Sequence, residues 1–291
     1  MAAISLQLIK ELREKTGAGF ADCKSALEAA NGDLQAAIEY LRQRGAVLAA
    51  KRADRVAREG VVLAATSDDG RKAVLLELNC ETDFVARTEE FLRFAESIVQ
   101  ALLEHDIGSE AELWHSTIGG KTLGDLRDEM AAKIGEKIQL RRYHVLKSDG
   151  YFAAYVHAGN RLAAVVEVAP SQLPQELRIL ARDLAMQVAA MQPEFVRRED
   201  IPAELFEREL ELHRQQALSE GKTPEVAERI ARGRVEKFFQ ERCLLEQAYI
   251  RDPNRTVGEV IAEAAQRVGT ALEVRRFWRY FLGETEHEGN A

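Results

Sequence analysis

Residues 61–78, VVLAATSDDGRKAVLLEL, align without a gap onto residues 151–168, YFAAYVHAGNRLAAVVEV. Residues 122–143, TLGDLRDEMAAKIGEKIQLRRY, align in the same way onto 256–277, TVGEVIAEAAQRVGTALEVRRF. A chain that carries the same two blocks twice, in the same order, is constrained to build one unit twice. The first block reads as a β-hairpin in each copy, with apolar strands around Asp69-Gly70 and Gly159-Asn160. An amphipathic helix follows, Glu90–Leu103 in one copy and Gln175–Met191 in the other, with apolar residues three and four apart. The second block opens on Thr122 or Thr256, natural N-caps, and Asp125 or Glu259 three residues on predicts a capping box. Gly135 and Gly269 mark where these helices stop. The strands Ile138–Val145 and Leu272–Phe277 then carry the repeated pairs Arg141-Arg142 and Arg275-Arg276. Each copy is therefore hairpin, helix, helix, strand, and the fold class is α+β: a duplicated core with small antiparallel sheets.

The copies depart from each other at two places. Their offset is 90 residues across the hairpins, 86 where Phe94-Ala95 meets Leu180-Ala181, and 134 in the second blocks. Copy one thus has about four extra residues, at Thr82–Val85, and copy two about 48, near 197–247. Function concentrates in loops held by a rigid scaffold. The long insertion predicts two helices, Ala203–Glu220 and Pro224–Arg242, about Gly221-Lys222-Thr223-Pro224, with Pro224 suited to a first helical turn. Leu205, Leu212, Val226, Ile230 and Phe238 give the seam of an inserted antiparallel coiled-coil hairpin; without a partner it is simply a solvated arm.

The short departure follows the apolar run Ala73–Leu78 as Cys80-Glu81-Thr82-Asp83-Phe84-Val85-Ala86-Arg87. Read locally, Phe84 docks the next helix onto the sheet. Read as a device on a scaffold, Phe84 and Asp83 place an apolar wedge and a carboxylate at one tip that pushes into a partner. No nucleophile or base stands beside them.

Ahead of the core, Leu6–Lys15, Ala21–Ala30 and Asp33–Arg44 predict three short helices. They are punctuated by Thr16-Gly17-Ala18-Gly19-Phe20, by Asn31-Gly32-Asp33 and by Gly45. Leu8, Leu12, Phe20, Leu27, Leu34, Ile38 and Leu41 supply a small core. Such a module either binds partner helices or strands through a shallow apolar patch or merely caps the core. The predicted organisation is 1–55 for this module, 56–146 for the first core subdomain, 147–200 with 246–282 for the second, 201–245 for the coiled coil, and a disordered polar tail at 283–291.

A net charge of −8 over 291 residues argues against nucleic acid as a direct ligand, which needs a basic face. The basic cluster Lys51, Arg52, Arg55 and Arg58 reads as a solvated linker helix. No apolar run approaches the roughly 18–20 residues that span a bilayer, and no signal or transit peptide is read, so no membrane is expected. Cys23, Cys80 and Cys243 are scattered and fit a reducing cytoplasm. The sequence has no phosphate-binding glycine loop, no nucleophile elbow and no zinc-type histidine pair, so no cofactor, resident metal or substrate chemistry is expected. His157, where the first copy has Ser67, reads as an exposed hydrogen-bonding turn residue.

Several motifs recur together in one order. They are Leu12-Arg13-Glu14-Lys15-Thr16-Gly17-Ala18-Gly19, Asp22-Cys23-Lys24-Ser25-Ala26-Leu27, Asn79-Cys80-Glu81-Thr82-Asp83-Phe84-Val85, Lys133-Ile134-Gly135-Glu136 with Arg141-Arg142, and His157-Ala158-Gly159-Asn160-Arg161. This set resembles the bacterial elongation factor Ts family, colinear from about residue 4 to about residue 282. The resemblance implies a guanine-nucleotide exchange factor for elongation factor Tu, the GTPase that delivers aminoacyl-tRNA. It implies a ubiquitin-associated-like (UBA-like) N-terminal module that meets the GTPase domain near its helix D, with Leu12, Arg13, Phe20 and Ala21 at the contact positions. Two large apolar residues are common in the family where this chain has Phe20-Ala21. It further implies that Thr82, Asp83, Phe84 and Val85 displace Mg²⁺ from the nucleotide site, and that His157 faces the same domain. A 1:1 heterodimer and a 2:2 assembly are both open. The competing reading is a UBA-like adaptor that binds polypeptide without exchange activity.

Overall fold

A computed structural model describes residues 4–16, 18–51 and 55–284. The tail beyond Glu284 and Arg52 of the basic cluster lie outside the described residues. By compactness the chain divides into two units, Met1–Leu63 with Leu76–Tyr143 and Ala64–Leu75 with His144–Ala291.

The first unit opens with α1 (Leu6–Thr16), α2 (Phe20–Ala29) and α3 (Leu34–Lys51). Their core is Ile9, Leu12, Cys23, Ala26, Leu27 and Ala37, edged by Leu8, Leu34, Ile38 and Leu41. Phe20 is not in it. As the first residue of α2 it stands 48% exposed, while Cys23, Ala26 and Leu27, three, six and seven residues on, turn inward. Gly45 does not stop the third helix either, since a lone glycine costs a helix only about 1 kcal/mol.

Next come β1 (Glu59–Thr66), β2 (Lys72–Cys80), α4 (Asp83–Ala86), α5 (Glu89–Glu104), α6 (Glu110–His115), the two-residue strands β3 (Thr117–Ile118) and β4 (Lys121–Thr122), α7 (Leu123–Ile134) and β5 (Gln139–Lys147). The sheet order is β1-β2-β5. Thr122 caps α7 by accepting from the Asp125 amide at 3.0 Å, and Gly135 ends it at φ 86°. The predicted reciprocal box is not completed there, because the short Asp125 side chain instead takes the Arg42 guanidinium at 2.6 Å.

The second unit carries β6 (Tyr151–Val156), β7 (Leu162–Ala169), α8 (Gln175–Met191), α9 (Ala203–Ser219), α10 (Pro224–Arg242), β8 (Ala248–Tyr249), β9 (Asp252–Thr256), α11 (Val257–Val268) and β10 (Glu273–Phe281). Its sheet order, β6-β7-β10, repeats that of the first sheet strand for strand. Here the box is complete: Thr256 and Glu259 each accept the other's backbone amide. The tip of the first hairpin, Ala64–Leu75, belongs to this unit, where the Phe152 amide donates to the Gly70 carbonyl at 2.7 Å.

The duplication extends to a buried charge. Glu77 on β2 and Glu167 on β7 occupy matching positions, and each meets the repeated arginine pair on the next strand of its sheet. On β10 a register irregularity between Val274 and Arg276 lets both consecutive arginines reach Glu167.

The insertion forms the two expected helices joined by a short turn; of the expected seam Phe238 is buried, Leu205, Val226 and Ile230 are partly buried, and Leu212 is not in it. Ala217, Ala227, Ala231, Val235 and Phe238 are buried, whereas Leu212 is half exposed. Alanines therefore share the seam with Val235 and Phe238. No described helix is long and apolar enough to cross a membrane.

Cys23, Cys80 and Cys243 are all buried and unpaired by disulfides. Burial pushes the thiols of Cys80 and Cys243 up to about 12, with Glu136 and Glu246 respectively adding to the effect. Only the thiolate reacts. Native protein at pH 8 is therefore expected to resist a colorimetric disulfide reagent over minutes and to release three equivalents of chromophore in denaturant, as read by absorbance.

Candidate functional site

The short departure between the copies is a single helical turn presented at the end of β2. Thr82 is extended (φ −123°, ψ 152°) and caps α4, its Oγ1 accepting from the Val85 amide. Thr88 caps α5 and donates its hydroxyl to the Val85 carbonyl at 2.8 Å, so the turn is held at both ends. Residues in a helix advance by about 100° each, so one turn cannot bury four neighbours. Val85 and Ala86 face inward and are buried. Phe84 faces outward and is 82% exposed, the most of any large apolar side chain among the described residues.

This overturns the local reading in which Phe84 docks the following helix. Val85 and Ala86 do that docking, and Phe84 is left in water. Val85 is accordingly an anchor of the tip and does not itself protrude. Asp83 is outward too, with its carboxylate 3.0 Å from Arg87 one turn on. Such an exposed pair is worth about 0.3–0.5 kcal/mol, so Asp83 can leave it at little cost.

The base of the tip is gripped by a residue that the sequence reading cited only as part of a motif. Glu136, the residue after the Gly135 cap, accepts from the amides of Glu81 and Thr82 at 3.0 Å each and from Thr82 Oγ1 at 2.6 Å. Glu81 answers by accepting the Lys137 amide at 2.7 Å. The two segments are thus braced in both directions.

The other expected contact residues sit elsewhere. In the N-terminal module, Arg13, Phe20 and Ala21 are exposed. Leu12 is not: it is fully buried in the three-helix core. In the second unit, His157 lies on the turn between β6 and β7, where its amide donates to the Leu162 carbonyl. Its imidazole Nδ1 is 2.9 Å from the Tyr155 hydroxyl, which orients the exposed ring. Among the described residues, no group of His, Cys, Asp and Glu is placed to hold a metal ion.

Comparison with known proteins gives one consistent result. The family model described as "Elongation factor TS" matches residues 81–284. The elongation factor Ts of Prosthecochloris aestuarii is 48% identical over 288 residues, covering 97% of this chain and all of its own length. That of Chloroherpeton thalassium is 45% identical over 289 residues, 98% of this chain and all of its own. That of Aquifex aeolicus is 43% identical over 289 residues, 97% of this chain and 98% of its own.

Proposed function

The chain belongs to the elongation factor Ts family, and from that premise we propose that it binds elongation factor Tu carrying GDP and speeds GDP release through the Phe84 tip. The observation that carries the reading is the placement of a large apolar side chain, 82% exposed, on a helical turn capped at both ends. In that position the side chain adds little to the stability of the fold.

The action is steric and electrostatic. The Mg²⁺ that accompanies GDP demands near-ideal octahedral oxygen ligands and tolerates little displacement of them. Phe84, wedged between elements of the GTPase domain, stabilises an arrangement in which those ligands no longer converge. Burying a phenylalanine supplies about 1.5–3 kcal/mol toward that rearrangement. Asp83, released from Arg87, competes for the donors that orient the site. Arg13, Phe20 and Ala21 in the N-terminal module and His157 in the second unit hold the same domain. The protein acts in the cytoplasm as one half of a heterodimer or within a 2:2 assembly, without nucleic acid or membrane.

Linkage makes the effect reciprocal: a factor that weakens GDP binding is itself weakened by GDP to the same extent. Used catalytically it changes no equilibrium, and excess GTP sets the direction. The test is release of a fluorescent GDP analogue from elongation factor Tu. Addition of this protein is expected to accelerate release by orders of magnitude; no acceleration would leave the adaptor reading.

A further inference from the structure

We propose that Glu136 is the positioning residue of the exchange tip, holding Thr82 and thereby Phe84 at the angle from which they enter the partner. The proposal rests on the exchange reading above.

The geometry is specific. A carboxylate has two oxygens, and here both are committed to the tip. Oε2 takes the consecutive amides of Glu81 and Thr82, and Oε1 takes the Thr82 hydroxyl. That hydroxyl is also the cap of α4, accepting from the Val85 amide. By donating to Glu136 it has its proton fixed and its lone pairs turned toward Val85. Glu136 thus ties down the N-terminal end of α4 through one hydroxyl, while Thr88 holds the other end.

The duplication supplies an internal control. In the ungapped alignment of the second blocks, Glu136 falls opposite Thr270. Both residues follow a left-handed glycine, Gly135 at φ 86° and Gly269 at φ 67°, that ends an equivalent helix before an equivalent strand. The second copy makes this connection without a carboxylate, and it has no helical turn after β7 corresponding to α4. The fold therefore does not call for an acid at this point. The acid is present in the copy that carries the tip.

Glu136→Gln keeps the side-chain length but replaces one acceptor oxygen with a donor facing donors. Two readouts separate positioning from mere stability. In the free protein, amide hydrogen exchange at Glu81 and Thr82 is expected to rise about tenfold or more while α5 and the melting temperature are unchanged. With elongation factor Tu, the limiting rate of GDP release is expected to fall about tenfold. In a Phe84→Ala background the same substitution is expected to change that rate less than about twofold, since a tip without its wedge gains nothing from being held. Unchanged amide exchange at Glu81 and Thr82 overturns the proposal without reference to the GTPase. An equal tenfold loss in both backgrounds also overturns it, because Glu136 then acts independently of Phe84. Failure of the unsubstituted protein to release GDP removes the exchange reading itself, and this proposal with it.

Discussion

Phe84→Ala is expected to lower the limiting rate of GDP release from elongation factor Tu by about a hundredfold while leaving the melting temperature within about a degree. The two halves of this result follow from one number. With 82% of its surface in water, Phe84 contributes almost nothing to the folded state that alanine would lose. The capping bonds of Thr82 and Thr88 and the inward faces of Val85 and Ala86 are untouched by the change. What disappears is the apolar surface that becomes buried only in the complex, worth about 1.5–3 kcal/mol. If that energy is realised in the state that leads to nucleotide release, each 1.36 kcal/mol is tenfold in rate. The upper end of the range gives about two decades. Stopped-flow release of a fluorescent GDP analogue at saturating variant checks it. A variant as fast as the parent would move the exchange chemistry to the N-terminal module or to His157, and away from the tip.

Val85→Ala makes the contrasting case within the same turn. Val85 is buried, so its truncation is expected to lower stability by about 1 kcal/mol or more and to affect exchange only through the tip's support. Thermal unfolding followed by circular dichroism separates the two substitutions before any partner is added.

The scaffold was legible because its signals are local and came twice. Threonine N-caps, glycine stops and alternating strands each fix an element by nearest-neighbour chemistry, and their recurrence at Thr122 and Thr256 removed the ambiguity of any single match. What was not legible depends on which way a side chain turns. Leu12 and Phe20 are both apolar and near a helix end, yet one is the centre of a core and the other stands in solvent. Hydrophobicity cannot rank them; only their angular place relative to Cys23, Ala26 and Leu27 does. In the arm both helices and Phe238 fall as expected, but alanines join the seam and Leu212 lies outside it. β3, β4 and β8, two residues each, are too short to show a period. Glu136 did have a signal in the sequence. It is the acid that stands opposite Thr270 in an otherwise matched block, at the copy bearing the extra residues.

The duplicated buried acids give the largest expected loss of stability, and an ordering between the copies. Glu77 is fully buried, with Oε2 at 2.8 Å from Arg142 Nε, and Arg142 is itself only 9% exposed. Removing the acid in Glu77→Ala breaks an ion pair in which both members are buried or nearly so. Breaking a buried pair by removing one member costs about 3–5 kcal/mol, far more than the pair contributes over an apolar replacement. Glu167 is buried as deeply, and Arg276 meets it at 2.8 Å, but Arg276 is 48% exposed. Once the acid is gone that arginine remains hydrated, and Arg275 keeps Asp149 at 2.5 Å. Glu167→Ala is therefore expected to cost less, about 1–3 kcal/mol, as for a lost hydrogen-bonding partner. Urea unfolding of the two variants should place the Glu77 midpoint clearly below the Glu167 midpoint. The origin of the larger loss has its own check: if it is the broken buried pair, Glu77→Leu combined with Arg142→Leu recovers most of it, since an apolar pair of similar volume replaces a buried ion pair at little or no cost. If the double variant is as unstable as Glu77→Ala, the loss lies in packing around β2, and the ordering between the two copies loses its electrostatic basis.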